Sequence, residues 1–421
     1  MPCCLRRSIL LWLALIMTGA SLRAEEPAVE KAHAETWRRF IDDHGVMRDY
    51  VGELPTPEDC RLGKPNAIGW WSPIENGPMF TGMYLHAMVE RARRSGAASD
   101  KEQARKLAQG LLKCASVSDV PGFVARGIGS DGNCHYPLSS DDQMQPWFLG
   151  LHAYLLSDIP SAAERTVLVA KVREVADVLE SNGWRVPCDG AFKGDFRGAF
   201  KGEHFRDAAR YVYLLRATYD MTGDAVWLER YRRALDAKPA KSAETRREIC
   251  ALGCPRDLGF IPTLQKGQFW IYVGTQAGLA RLAAVETDAA TKAAYREGLD
   301  VSARFALSSV DTHAMFDNAD QGFFGTADWR AANPTWFPQP TQKEAERLAK
   351  IVDYKKRGPR KNYESTWMRH PLAAAAVVAL AGEASARPQV LKAIRHYDYS
   401  KLNMAEFFFA EVAYYALPEI K

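Results

Sequence analysis

Six times along the chain, a polar, aromatic-rich turn opens into an apolar helix rich in small residues. The first three openings read IENGPMFTGMYLHAM from Ile74, SSDDQMQPWFLGLHAYL from Ser139 and EHFRDAARYVYLL from Glu203. The later three read KGQFWIYVGTQAGLARL from Lys266, NYESTWMRHPLAAAAVVAL from Asn362 and KLNMAEFFFAEVAYYAL from Lys401. Within them apolar residues recur at helical spacing, as in Met79, Met83 and Ala87, or Trp147, Leu151 and Tyr154, or Phe269, Val273 and Ala277. Between them run more charged, amphipathic stretches that begin near Ala28, Lys101, Glu164, Ala225, Ala290 and Ser385. A helix with one polar face lies outside, and a helix apolar nearly all round is wrapped by others. The alternation therefore predicts an all-α chain, an (α/α)6 toroid of about six helical hairpins, with no series of β-strands. The inner helices would all start on one face, so that their polar openings converge.

Gly82, Gly150, Gly274 and Gly278 sit inside the inner helices, where glycine costs about 1 kcal/mol relative to alanine. Close approach of helices at a crowded centre would offset that cost. Long linkers run over residues 47–74, 119–141 and 308–362, with a shorter one at 184–203, and they carry paired aromatic and polar groups. Ordered loops of that length are usually functional, and these precede or separate the elements of one rim.

The N-terminus bears on compartment. Arg6 and Arg7 precede the apolar run ILLWLALIM and the small-residue stretch TGASLRA, the pattern of a secretory signal too short to span a membrane. Cleavage is expected after Ala24, which leaves residues 25–421 as one domain of a periplasmic or secreted protein without a membrane span. The chain holds 55 Lys+Arg against 51 Asp+Glu, and loss of Arg6, Arg7 and Arg23 brings it close to neutrality. No basic stripe of the kind that attracts nucleic acid is present. Six cysteines follow the leader, and CALGC at Cys250–Cys254 has the spacing of a local disulfide. No histidine pair lies near them at zinc-site spacing. No metal or cofactor is expected.

Asp141 and Asp142 open the second inner helix, where either Ser or Asp of SSDD could serve as an N-cap. Alternatively, one of the two acids faces the rim beside Gln143 and Trp147. Glu75 stands at the equivalent place on the first inner helix, next to Trp70, Trp71 and Asn76. Acids beside loop tryptophans suit sugar binding, and two carboxyl groups on neighbouring helices could flank a glycosidic bond. The third opening brings together His204, Arg206 and Asp207. Arg206 either bridges to Asp207 or, with His204, binds a substrate carboxylate, and Arg126 is a second such cation. Trp270 opens the fourth helix, and Tyr363, Glu364, Trp367 and His370 repeat the mix in the fifth. GSDGN at Gly129–Asn133 reads as a turn rather than a calcium loop, for want of the downstream acidic ligands. There is no G-x-S-x-G elbow, H-E-x-x-H motif or phosphate-cradling loop.

The openings ENGPMFTGMYLHAM and SDDQMQPWFLGLHAYL resemble those of the six-hairpin glycosidase superfamily, the (α/α)6 toroids that include unsaturated glucuronyl and rhamnogalacturonyl hydrolases. Asn76, Gly77 and Gly82 match an N-G-x-x-x-x-G-like stretch. The resemblance implies that Asp141 or Asp142 is the catalytic aspartate and Glu75 the other acid. The expected function is an exported glycoside hydrolase acting on oligosaccharides, uronic-acid-containing ones among them. The alternatives are a polysaccharide lyase of the same architecture, using His204, Tyr363 or His370 for proton transfer, and a carbohydrate-binding toroid without turnover.

Overall fold

The computed structural model describes residues 26–351 and 358–419. The expected leader and its expected cleavage site lie outside them. The fold is all-α. Six apolar helices alternate with six outer ones along the chain. The inner ones are α3 (Gly77–Ser95), α5 (Asp141–Leu155), α7 (Phe205–Thr222), α10 (Val273–Val285), α15 (His370–Leu380) and α17 (Phe409–Ala416). The outer ones are α1 (Pro27–Arg39), α4 (Ala98–Cys114), α6 (Ala162–Ser181), α8 (Ala225–Asp236), α11 (Ala289–Val310) and α16 (Arg387–Arg395). Each inner helix packs on the next in chain order, and α17 packs back on α3. Their contacts thus form a closed cycle, with each outer helix packed on at least one inner neighbour.

Local chemistry sets the boundaries. Ser161 and Glu164 form a capping box at the start of α6, and Gly96 and Gly223 end α3 and α7 in the left-handed conformation. Every residue of α15 is buried, as its uniformly apolar sequence requires. It is preceded by α14 (Pro359–Glu364) and a π-helical turn over Ser365–Arg369. Pro371 has no N–H to give to the Trp367 carbonyl one turn back, and the Tyr397 hydroxyl donates there instead, at 2.7 Å. The glycines at the centre act as expected. A Cβ on Gly82 would lie 1.9 Å from the Pro146 carbonyl oxygen, and one on Gly150 would meet Gly82 itself at 2.8 Å.

Three features depart from the sequence reading. A two-stranded antiparallel hairpin, β1 (Arg185–Pro187) with β2 (Phe196–Ala199), pairs Arg185 with Ala199 and Pro187 with Phe196. The long linkers contain helices of their own, α2 (Pro57–Leu62), α12 (Trp329–Ala332) and α13 (Gln342–Ile351), while α9 (Arg246–Leu252) precedes the fourth opening. The expected CALGC bridge is absent: Cys250 and Cys254 are buried free thiols, Cys250 on α9 and Cys254 beyond the turn at Gly253 that ends it. Among the described residues no helix is long and apolar enough to cross a membrane.

Candidate functional site

The loop before α3 is held in a costly conformation. Trp71 has φ 73°, a left-handed geometry that costs a bulky residue about 1–3 kcal/mol. Its N–H donates to Glu75 Oε2 at 2.9 Å, its indole N–H donates to the Ala349 carbonyl at 2.8 Å, and the Lys361 ammonium lies 4.2 Å above its ring. Trp70 packs beside it, with the Arg197 guanidinium 5.5 Å from its ring centre. Helix α13 thereby covers the tryptophan side of the rim.

Asn76 joins the first two openings. Its amide N–H2 and backbone N–H both donate to Asp49, at 2.6 and 2.8 Å, while its carbonyl accepts from Arg126 at 3.3 Å and from Gln143 at 3.2 Å. Arg126 also donates to the Glu75 carbonyl and to Ser140 Oγ. Burial, then the neighbouring Arg197 charge, lowers the Arg126 pKa to about 10, against the opposing pull of Glu75, Asp142 and Asp49. One guanidinium therefore feels the carboxylates of both openings.

Neither serine nor aspartate of SSDD caps α5 through its side chain. Ser139 donates to the Val124 carbonyl and Ser140 accepts from Arg126. The two acids instead meet α7. Arg210 Nη1 lies 3.0 Å from Asp141 Oδ2 and 2.8 Å from Asp142 Oδ1, and Arg206 reaches both at 3.4 Å. Arg210 is fully buried, and its remaining donors go to Thr275 Oγ1 and the Ile271 carbonyl. Against the cost of burial, Arg206 and Arg210 hold the Asp142 carboxyl well below the usual range, while burial and the Asp142 charge push Asp141 up. Asp142 is the more exposed of the pair. The expected Arg206–Asp207 bridge is present but long, at 3.7 Å. Burial raises Asp207 to about 6, beneath Gly202, whose missing Cβ leaves room for its carboxylate.

A second acidic group closes the ring. Asp49, before α3, and Glu406, before α17, lie close enough to Glu75 for the three to act on one another, and burial drives the pKa values of Asp49 and Glu406 upward. Arg369 reaches Glu406 at 3.4 Å and covers the Trp270 ring at 4.8 Å. Burial, and then the Arg369 charge, pushes His370 down to about 3, which keeps that imidazole neutral.

The structure thus gathers Glu75, Asn76, Arg126, Gln143, Asp141, Asp142, Arg206 and Asp207 along one connected stretch of rim, with Trp70 and Trp71 beside them and Trp270 next to Arg369. His204 sits at its margin, stacked on Phe260 at 4.0 Å. Other expected residues are engaged elsewhere. The Tyr363 hydroxyl bonds the backbone of Met315 and Asp317, and Trp367 gives its carbonyl to Tyr397. Glu364 is fully buried and accepts from Arg360, Asn403 and Met404, so it pins the fifth opening to the sixth rather than facing a ligand.

Asp49, Arg210, Asp257, Arg369 and Glu406 were not singled out from sequence. Asp257 accepts from the Phe205 and Arg206 N–H groups at 2.7 and 3.0 Å and so caps α7 from a distant loop. Arg210 had a local signal, because it follows Arg206 by four residues on the same helix face. Among the described residues no His, Cys, Asp and Glu cluster is arranged to hold a metal ion. Asp131 takes the N–H groups of Asn133 and Cys134, as the turn reading of GSDGN requires. No protein-family model, curated protein or solved structure matches the chain.

Proposed function

We propose that the protein is an exported glycoside hydrolase of the (α/α)6 toroid type that acts on oligosaccharides bearing acidic sugars. The observation that carries this reading is Arg126, which bonds the Glu75 carbonyl just before one inner helix and Ser140 at the start of the next, within reach of the charges of Glu75 and Asp142. The closed cycle of inner-helix contacts supports the toroid. The N-terminal leader supports export.

The two carboxyl groups divide the work by environment. Glu75 stands beside Asp49 and Glu406, whose pKa values burial raises, and is the member of the three with partial exposure. In this reading Glu75 is the general acid, giving a proton to the glycosidic oxygen as the bond to the anomeric carbon breaks. Asp142, kept ionised by Arg206 and Arg210, takes a proton from the incoming water or attacks the anomeric carbon directly. Arg206 and Arg369 supply charge for a uronate carboxylate, and Trp71 and Trp270 supply apolar faces for sugar rings. Of the three acceptors a lyase could use, Tyr363 and His370 are held in other contacts, which leaves His204, stacked on Phe260, as the candidate for that alternative.

The test is reducing-end release from a panel of neutral and uronate-containing oligosaccharides. Glu75→Gln and Asp142→Asn should each lower turnover by about 10²–10⁴-fold, the usual worth of general acid–base catalysis, without loss of fold. Release of an unsaturated uronide from intact polymer would assign a lyase. Binding without turnover across the panel would assign a carbohydrate-binding protein.

A further inference from the structure

Of the six cysteines in the described region, five are buried and Cys134 is partly exposed. Cys60 and Cys134 share one small packing cluster, and each is the leading influence on the other's thiol. They belong to different long loops. Cys60 lies on α2, in the loop that carries Trp70, Trp71 and Glu75. Cys134 ends the turn in the loop that leads to Asp141 and Asp142. The two loops are already fitted together there: the Ser130 N–H donates to the Pro55 carbonyl at 2.9 Å, and Cys134 Sγ lies 3.6 Å from that same oxygen. Gly129 is required beside them, because a Cβ at that position would lie 2.2 Å from the Cys134 sulfur. The Cys60, Ile74 and Tyr136 side chains form a small apolar cluster over which Cys134 packs.

We propose that Cys60 and Cys134 are a disulfide-forming pair, which in its oxidised state cross-links the two loops that carry the acidic residues of the rim. The chemistry needs an external disulfide as oxidant, for example glutathione disulfide. Cys134, the more exposed thiol, has its pKa lowered, with Cys60 the leading cause. Its thiolate attacks one sulfur of the oxidant and releases the first thiol as a mixed disulfide forms. Cys60 then loses its proton and attacks the Cys134 sulfur, and the second thiol departs. Two protein thiols and one disulfide become one protein disulfide and two small thiols. Among the described residues the other buried cysteines show no such pairing: Cys114 ends α4, and Cys188 accepts from Gln342.

The junction so linked is a meeting point of three loops. The Gly63 carbonyl, at the end of α2, accepts from Trp336 at 3.1 Å and Gln339 at 3.0 Å, and Asp59 on α2 pairs with Arg330 at 2.7 Å. The Tyr136 hydroxyl donates to the Lys64 carbonyl. A cross-link at Cys60 therefore also restrains the 325–340 segment through these bonds.

The full-length protein is incubated with glutathione disulfide, quenched with an alkylating agent under denaturing conditions, and mapped without reductant. The expected result is one cross-linked peptide pair joining Cys60 to Cys134, with Cys114, Cys188, Cys250 and Cys254 alkylated. The thermal midpoint of the oxidised form should exceed that of the reduced form, and Cys60→Ser and Cys134→Ser should each abolish the difference. The map is read on the unaltered chain, so it stands even where a serine variant folds poorly. A different pairing, all of these thiols remaining free, or a midpoint indifferent to oxidation would overturn the proposal.

Discussion

Arg210 Nη1 stands 2.8 Å from Asp142 Oδ1, so a buried cation on α7 holds the carboxylate that opens α5. The same nitrogen lies 3.0 Å from Asp141. One guanidinium therefore neutralises two adjacent acids that would otherwise repel each other at a helix start. Arg210→Leu should destabilise the fold by about 3–5 kcal/mol, because it leaves buried charge without its partner. Denaturant unfolding measures it, and a variant as stable as the parent would mean that the pair is well solvated.

Arg206 has the lighter structural role and the clearer effect on chemistry. It is the largest of the influences that lower the Asp142 pKa against burial. Arg206→Gln should therefore raise that pKa. If ionised Asp142 is needed for turnover, the acid limb of kcat/KM against pH should move to higher pH. An unmoved limb would show that another group sets it.

Asp49 should influence stability with the opposite sign to Asp142. Its folded pKa is raised, chiefly by burial and then by Glu75 and Glu406. The folded state thus binds this proton more tightly than the unfolded chain does. The resulting stability is present below the unfolded pKa and is lost as pH rises towards the folded one. Asp49→Asn removes that titration, so the variant should gain stability relative to the parent as pH rises from about 4 to neutrality. Thermal midpoints at the two ends of this range decide it.

Glu364 offers a contrast with the rim acids. Its carboxylate ties Arg360 at 2.8 Å to the backbone of Asn403 and Met404. Glu364→Gln should lower the thermal midpoint while turnover per folded molecule stays near that of the parent. Comparison with Glu75→Gln, where the reverse is expected, separates a pinning carboxylate from a reacting one.

The alternation of inner and outer helices was legible because burial on all sides and burial on one side leave different residue patterns, as α15 and α8 illustrate. The rim acids Glu75, Asp141 and Asp142 were legible because each opens an inner helix. Other parts were not. Helix α13 has the apolar spacing of Ala345, Leu348 and Ala349, but Pro338 and Pro340 just before it give the whole segment the look of a linker. The capping reading of SSDD, one of the two that the sequence left open, gives way because a buried arginine competes more strongly for a carboxylate than a helix-start N–H does. Asp49 and Glu406 lie at opposite ends of the described chain and meet Glu75 only because α17 returns to α3. That contact is a property of ring closure, which no local window contains.

Gly82 and Gly150 give α3 and α5 their backbone-to-backbone contact. Glu75 precedes Gly82 by seven residues and Asp142 precedes Gly150 by eight, roughly 10–12 Å along each axis. The two helices therefore behave like the arms of a caliper clamped at one point, with the carboxylates at the jaws. A methyl group at either glycine would act as a shim, altering the gap between the acids from two turns away. The gap between the two carboxylates is gauged by the absence of two side chains that lie well below them in the helix pair.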